Sequence, residues 1–444
     1  MTRVSLFAML LAFSGASAAL DLLGAYEKAL GYDPTMRAAG EAVLAGREKA
    51  VQGDALLLPQ IQFTAGYSHV EDRSKTDLPP QLAEIIKSES SGNVRQAKVE
   101  LRQPVYDLQA AANRKQQHSR TDLAELGYRN SRQELMQRVT ETYLNVLFAL
   151  ENVRVVEAEK AAVGMQRDRA KARFDVGRGK VTEVEETQAR YDSVLTKEVS
   201  ARSTLDLRQA QFQELTGAAA QGLAELRPGL QPVPPQPANL LVWQDKSRER
   251  NMRVQAKQSE LAIATAEAAK HRMSARPTVD LVASYGYKGQ DGGLSPVVAP
   301  DGNRQAVIGL QFTVPLFAGG GLDSRSRESV AKRREAEHDL AAAQRDARLQ
   351  VQDAFLAVTT GVSRIASLEQ SLLSARTALE ATTLGRDLGS RTELDVLDAQ
   401  QRLFSTQLDL AQARNDYLVG RIRLASAAGD LNEADLQAIN AYLR

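Results

Sequence analysis

Leu58-Pro59-Gln60-Ile61-Gln62-Phe63-Thr64-Ala65-Gly66-Tyr67 returns in pattern as Arg276-Pro277-Thr278-Val279-Asp280-Leu281-Val282-Ala283-Ser284-Tyr285. In the first copy Ile61, Phe63, Ala65 and Tyr67 oppose Gln62, Thr64, Gly66 and Ser68; in the second Val279, Leu281, Ala283, Tyr285 and Tyr287 oppose Asp280, Ser284 and Lys288. A period of two marks a strand with one apolar and one wet face. Each copy has a second alternating stretch downstream. Val99, Leu101 and Val105 oppose Lys98, Glu100 and Arg102, and Ile308, Leu310, Phe312 and Val314 oppose Gly309, Gln311 and Thr313. The strands are expected at about 58–73, 96–106, 276–290 and 304–317. An ordinary soluble sheet shows the same alternation, but strands of about ten residues also match a tilted membrane crossing. Pro59, Pro104, Pro277 and Pro315 stand where these strands begin or end.

Two further matches fall in the same order. Gln103-Pro104-Val105-Tyr106 pairs with Val314-Pro315-Leu316-Phe317, and Val176-Gly177 followed by Thr182-Glu183-Val184 pairs with Leu388-Gly389 followed by Thr392-Glu393-Leu394. The chain is therefore a duplication, with repeats at 19–226 and 241–428, a proline-rich connector at 227–240 and a closing segment at 429–444. Each repeat reads as helix, strand, loop, strand, long helix, tight turn, helix. The long helices are expected from about Asp107 to Phe174 and from about Leu322 to Gly385, each roughly 100 Å at the usual rise. After each turn a three-four spacing marks a coiled-coil seam, through Val184, Thr187, Tyr191, Val194, Glu198 and Ala201 in one repeat and Leu394, Leu397, Gln401, Phe404, Leu408 and Ala411 in the other.

Composition narrows the chemistry. The absence of cysteine removes disulfides, thiolate metal sites and a thiol nucleophile, and the four histidines, His69, His118, His271 and His338, lie far apart with no carboxylate pattern at ligand spacing. No metal, cofactor or enzyme signature is found; Gly177-Arg178-Gly179-Lys180 lacks the glycine spacing and the preceding strand of a phosphate loop. Met1-Thr2-Arg3, the apolar run Val4–Phe13 and Ala16-Ser17-Ala18 form a secretory leader over residues 1–18. Lys plus Arg is 56 and Asp plus Glu 55, so loss of Arg3 leaves a neutral mature chain, a poor candidate for nucleic acid. Four strands cannot close a barrel, and open edges in a bilayer leave backbone groups unsatisfied, so a membrane reading requires several chains to pool their strands. The competing reading is a soluble periplasmic coiled-coil scaffold whose short sheets only stabilise it.

The order of leader, Leu58-Pro59-Gln60 strand, Gln103-Pro104-Val105-Tyr106-Asp107, Phe212-Gln213-Glu214-Leu215-Thr216-Gly217, Val314-Pro315-Leu316-Phe317-Ala318-Gly319-Gly320 and Asp395-Val396-Leu397-Asp398-Ala399 resembles the TolC family of outer-membrane channel-tunnels over essentially the whole mature chain. The resemblance implies a mainly α chain whose four strands join a trimeric twelve-stranded barrel in the outer membrane. It also implies an antiparallel coiled-coil tunnel across the periplasm. The implied partners are two further copies, outer-membrane lipid, a periplasmic membrane-fusion adaptor and an inner-membrane transporter, with the ABC type favoured. The implied task is type I protein secretion or drug efflux.

The site residues follow from the same resemblance. Asp395 and Asp398 lie one turn apart just after a helix start, and three chains would ring a constriction with six carboxylates that favour cations. The plain alternative is a helix N-terminus, where acids are favoured by the dipole. Thr182 and Glu183 on one side and Arg386 and Arg391 on the other match the links that restrain the inner iris, with Glu183 and Arg386 expected to form an ion pair. Val176, Gly177 and Arg178, with Leu388, Gly389 and Ser390, match the tips that meet the adaptor, although a purely structural role for the glycines is equally well supported.

Overall fold

The computed structural model describes residues 19–73, 89–291 and 302–444, so the leader at 1–18 lies outside the described residues. The elements run α1 (Leu22–Tyr32), α2 (Pro34–Ala55), β1 (Gln60–Arg73), β2 (Glu89–Tyr106), α3 (Leu108–Asp175), α4 (Val181–Thr216), α5 (Leu240–Arg250), α6 (Met252–Met273), β3 (Thr278–Gln290), β4 (Gly302–Thr313), α7 (Gly321–Asp387), α8 (Glu393–Ala428) and α9 (Glu433–Asn440). The chain forms two compact units that cut across the repeats: residues up to Glu41 with Gly127–Gln255 and Ala342–Arg444, and Ala42–Leu126 with Ala256–Ala341. Like elements of the two repeats pack together, so each unit draws on both.

In the second unit the four strands form one antiparallel sheet in the order β1-β2-β3-β4. The register stacks the alternating residues into rows. Ile61, Leu101, Ala283 and Ile308 share one row, and Phe63, Val99, Tyr285 and Ala306 the next on that face. Gln62, Glu100 and Ser284 lie in a row of the opposite face. β2 starts at Glu89, earlier than the alternation marks, because the stretch Glu89–Asn93 pairs through its backbone without any apolar period to betray it. β4 stops at Thr313 instead of reaching 317. The paired prolines have different fates: Pro104 is kept inside β2 at a register shift between Pro104 and Tyr106, whereas Pro315, which has no N–H to donate, falls beyond β4.

The first unit is helical. Tyr26, Leu135, Tyr143, Phe212, Tyr417 and Leu436 are among its fully buried side chains. Tyr143 meets Phe212 edge to face at 6.1 Å, and its hydroxyl contacts the Leu20 and Ala224 carbonyls at 2.9 and 2.8 Å. The proline-rich segment is more than a connector. Leu226 bridges Leu443, Arg227 Nε donates to the Leu443 carbonyl at 2.8 Å, Leu230 is buried, and the Val233 N–H donates to Tyr417 Oη at 2.8 Å. Its prolines rule out helix but leave carbonyls and leucines to pack, so the segment belongs to the core.

The helix ends fix the repeat register. α4 and α8 each have 36 residues and end at Gly217 and Gly429, both left-handed with φ of 68° and 78°. A constant shift of 212 positions carries Asp175 to Asp387, Gly177 to Gly389, Lys180 to Thr392 and Gly217 to Gly429. The Thr-Glu match, which equates Thr182 with Thr392, is therefore two positions out of structural register. The seam expected along α8 moves with it: Leu394 and Gln401 are exposed, while Leu410, Ala413, Tyr417 and Leu424, the counterparts of Glu198, Ala201, Leu205 and Phe212, are buried. Glu198 holds its place in the α4 seam because Lys160 and Arg202 each bind its carboxylate at 2.7 Å.

Candidate functional site

Two regions carry chemistry: the helix turns of the first unit and the sheet face of the second. After α3 the Gly177 N–H donates to the Phe174 carbonyl and the Arg178 N–H to the Arg173 carbonyl, both at 2.8 Å; after α7 the Gly389 N–H donates to Arg386 at 2.9 Å and the Ser390 N–H to Gly385 at 2.8 Å. These are the paired bonds of a Schellman stop, and they require a left-handed residue, supplied by Gly177 at φ 72° and Gly389 at φ 79°. Val176 and Leu388, at the apex of each turn, are 69% and 76% exposed.

The starts of the following helices differ. Thr392 caps α8 with a reciprocal box: its Oγ1 accepts from the Asp395 N–H at 3.1 Å, and its own N–H donates to Asp395 Oδ2 at 2.8 Å. The bonds from the Thr392 backbone and hydroxyl, with Arg391 and Arg402 nearby, hold the Asp395 carboxyl below its usual range. Asp395 thus serves the helix start, while Asp398, one turn on, is exposed. Lys180 occupies the cap of α4 and makes no side-chain cap bond. Thr182 consequently sits inside the helix, not at its cap, and Glu183 takes the place that Asp395 takes in α8.

Arg386 is where the structure corrects the expectation. Its side chain is only 8% exposed, and its guanidinium binds Gln166 of α3 at 3.0 Å, Asp387 at 2.8 Å and Glu393 at 3.3 Å. The Glu183–Arg386 pair is not formed within the chain. Glu393 follows Arg386 by two helical turns' worth of sequence around the same hairpin, so it reaches the guanidinium first. Glu183 Oε2 is buried without a hydrogen-bond partner among the described residues. Gln166 and Glu393 were missed from the sequence, although Glu393 was visible as the acid of the repeated Thr-Glu.

The sheet's apolar rows face outward. Ile61, Phe63, Tyr67, Tyr285, Ile308, Leu310 and Phe312 are all more than 60% exposed. At roughly 1.5–3 kcal/mol per side chain, leaving these seven in water forfeits on the order of 10–20 kcal/mol, as much as the whole stability of an ordinary domain. Such a face is built to meet an apolar phase. β1 and β4 are edge strands with no neighbour on their outer side among the described residues, and none of the described helices is long and apolar enough to cross a membrane.

An amphipathic sheet with two open edges beside duplicated helical hairpins is the architecture of an outer-membrane channel-tunnel protomer. The profile of the outer membrane efflux protein family matches residues 25–218 and again 243–430, once per repeat, and the chain belongs to that family, the family of TolC. It is 30% identical to the outer membrane protein TolC of Escherichia coli over 96% of this chain and 86% of the relative, and 30% identical to the alkaline protease secretion protein AprF of Pseudomonas aeruginosa over 95% and 87%. The fold matches the crystal structure of the outer membrane protein VceC of Vibrio cholerae with a TM-score of 0.78 at 19% identity, covering 92% of this chain and 96% of that one. These relatives are channel and secretion proteins rather than enzymes, and the chain is an outer-membrane export protein.

Proposed function

We propose that three chains close one twelve-stranded barrel in the outer membrane and continue it as a helical tunnel into the periplasm, forming the export duct of a tripartite system. The observation that carries this is the unfinished sheet: an apolar outer face that water would penalise heavily, bounded by two strands whose backbone groups need partners. A soluble scaffold would have no reason to expose that face. A periplasmic adaptor and an inner-membrane transporter of the ABC type complete the system, and the likeness to a protease secretion protein supports protein export as its task. Repeats 19–226 and 241–428 supply alternate walls of the duct.

Within it, the exposed apolar apices Val176 and Leu388, with Gly177, Arg178, Gly389 and Ser390, present the surface that the adaptor meets. Thr182, Glu183, Arg386 and Arg391 restrain the inner end, with Glu183 the acid that still needs a cation and Arg386 already seated on Glu393. Asp395 and Asp398 line the constriction. The test is purification of the mature chain from outer membranes followed by single-channel recording. A trimer that conducts with cation preference, weakened in an Asp395→Asn, Asp398→Asn double variant, is expected; a stable monomer of full helicity would overturn the assembly, and unchanged selectivity would return both acids to a capping role.

A further inference from the structure

Beneath the segment that joins the two repeats lies a cavity of about 490 Å³, walled by α3, α7, α8, residues 225–228 and Arg444. Its lining combines Leu144, Leu147, Phe148, Leu372 and Leu410 with five arginines against two glutamates. Most of those charges are engaged. Arg154 grips Glu225 with two bonds of 2.8 and 2.5 Å, Arg227 Nε is bound to the Leu443 carbonyl, and Arg414 Nη2 donates to Glu369 at 2.8 Å. Three groups are left over. Arg376 makes no hydrogen bond or ion pair among the described residues. Arg414 Nε, a donor, and Asn415 Oδ1, an acceptor, are buried with no partner, and Asn415 as a whole is only 6% exposed.

Native proteins rarely leave such atoms empty-handed, so a buried donor and a buried acceptor on one cavity ask for an occupant. Water alone would serve the polar atoms but would be set against five large apolar side chains. The complement of the lining is a molecule with a negative group for Arg376 and Arg414, a hydrogen-bond donor for Asn415 and an apolar body for the leucines. We propose that this cavity is a binding site for an amphipathic hydroxy-carboxylate, of the size and kind of a medium-chain 3-hydroxy fatty acid. The volume lies in the usual range for small-ligand pockets.

The full-length protein in lipid nanodiscs, with empty nanodiscs as the blank, is titrated calorimetrically with 3-hydroxydecanoate, decanoate and decylamine. Saturable binding of 3-hydroxydecanoate at one per chain is expected, roughly fivefold tighter than decanoate because of the one added hydrogen bond, with no saturable binding of the amine. Arg376→Ala weakens both carboxylates by about tenfold through loss of a charge-assisted bond. Asn415→Leu removes the preference for the hydroxyl and leaves decanoate binding in place. Since Arg376 is exposed on its helix, its variant folds even if Asn415→Leu does not. Binding that ignores the sign of the head group, carboxylate affinity indifferent to Arg376→Ala, or a cavity that takes up no probe because a neighbouring chain or water fills it would each overturn the assignment.

Discussion

The α3–α4 turn and the α7–α8 turn share one backbone and are fastened differently. Both stop the long helix with the same two bonds and a left-handed glycine, and both restart it after the same number of residues. In the second turn Thr392 and Asp395 close a capping box, Ser390 Oγ donates to the Gly385 carbonyl at 2.9 Å, and Arg386 binds both its own hairpin at Glu393 and α3 at Gln166. In the first turn Phe174 stands where Arg386 stands in the second, Lys180 where Thr392 stands, and Glu183 is left with a buried oxygen unpaired. Duplication preserved what the chain reversal demands and released the side chains around it. One copy became a fixed strut and the other kept an acid in reserve.

The largest effect is expected from Arg386→Met. Removing one partner of a buried ion pair leaves the other charge uncompensated at a cost of about 3–5 kcal/mol, so amide hydrogen exchange should accelerate in the α7–α8 turn and hardly at all in α3–α4. Equal loosening of both turns would erase the distinction. Next come Gly177→Ala and Gly389→Ala. Each forces an L side chain into left-handed backbone at a cost of roughly 1–2 kcal/mol, and because this feature is shared, the two penalties measured by thermal unfolding should agree; a large difference would break the claim of a common backbone.

A smaller pair of changes exchanges the fastenings. Thr392→Ala should destabilise the start of α8 by about 1 kcal/mol, and Lys180→Thr, which places a capping hydroxyl three residues before Glu183, should stabilise the start of α4 by a similar amount. Exchange protection of the first turns of the two helices reads both, and no gain from Lys180→Thr would mean that the α4 start is held by something other than its cap. The smallest effect is that of acid. The carboxyl of Asp395 is depressed in the folded chain, so its contribution is present above the unfolded value near pH 4 and is lost as pH falls through the lower folded value. The α7–α8 turn should therefore loosen selectively below about pH 4, an effect that Asp395→Asn abolishes.

Much of the fold was legible because alternation and glycine placement are local signals. Ile61 to Tyr67 declare their face without help from elsewhere, and Gly177 and Gly389 mark reversals that few other residues permit. What was not legible depended on register and on packing. The dipeptides Thr182-Glu183 and Thr392-Glu393 are alike as text, yet the helix begins before one and at the other, and only the caps reveal the shift. Arg386 was assigned to Glu183 because no sequence pattern distinguishes an acid in the same hairpin from one in its neighbour. Residues 89–93 form strand through backbone pairing alone, a contribution that leaves no mark on side-chain choice.

The open edges of β1 and β4 bear also on how the protein comes to be. A chain that has completed its helices but met no other copy carries two strips of unsatisfied backbone and an unshielded greasy face, the combination that recruits any available strand. Its safe lifetime is then set by encounter, and encounter among three partners falls steeply with dilution. Slow synthesis favours misjoined or degraded chains over finished rings, so the yield of functional protein should rise faster than in proportion to the rate at which new chains arrive.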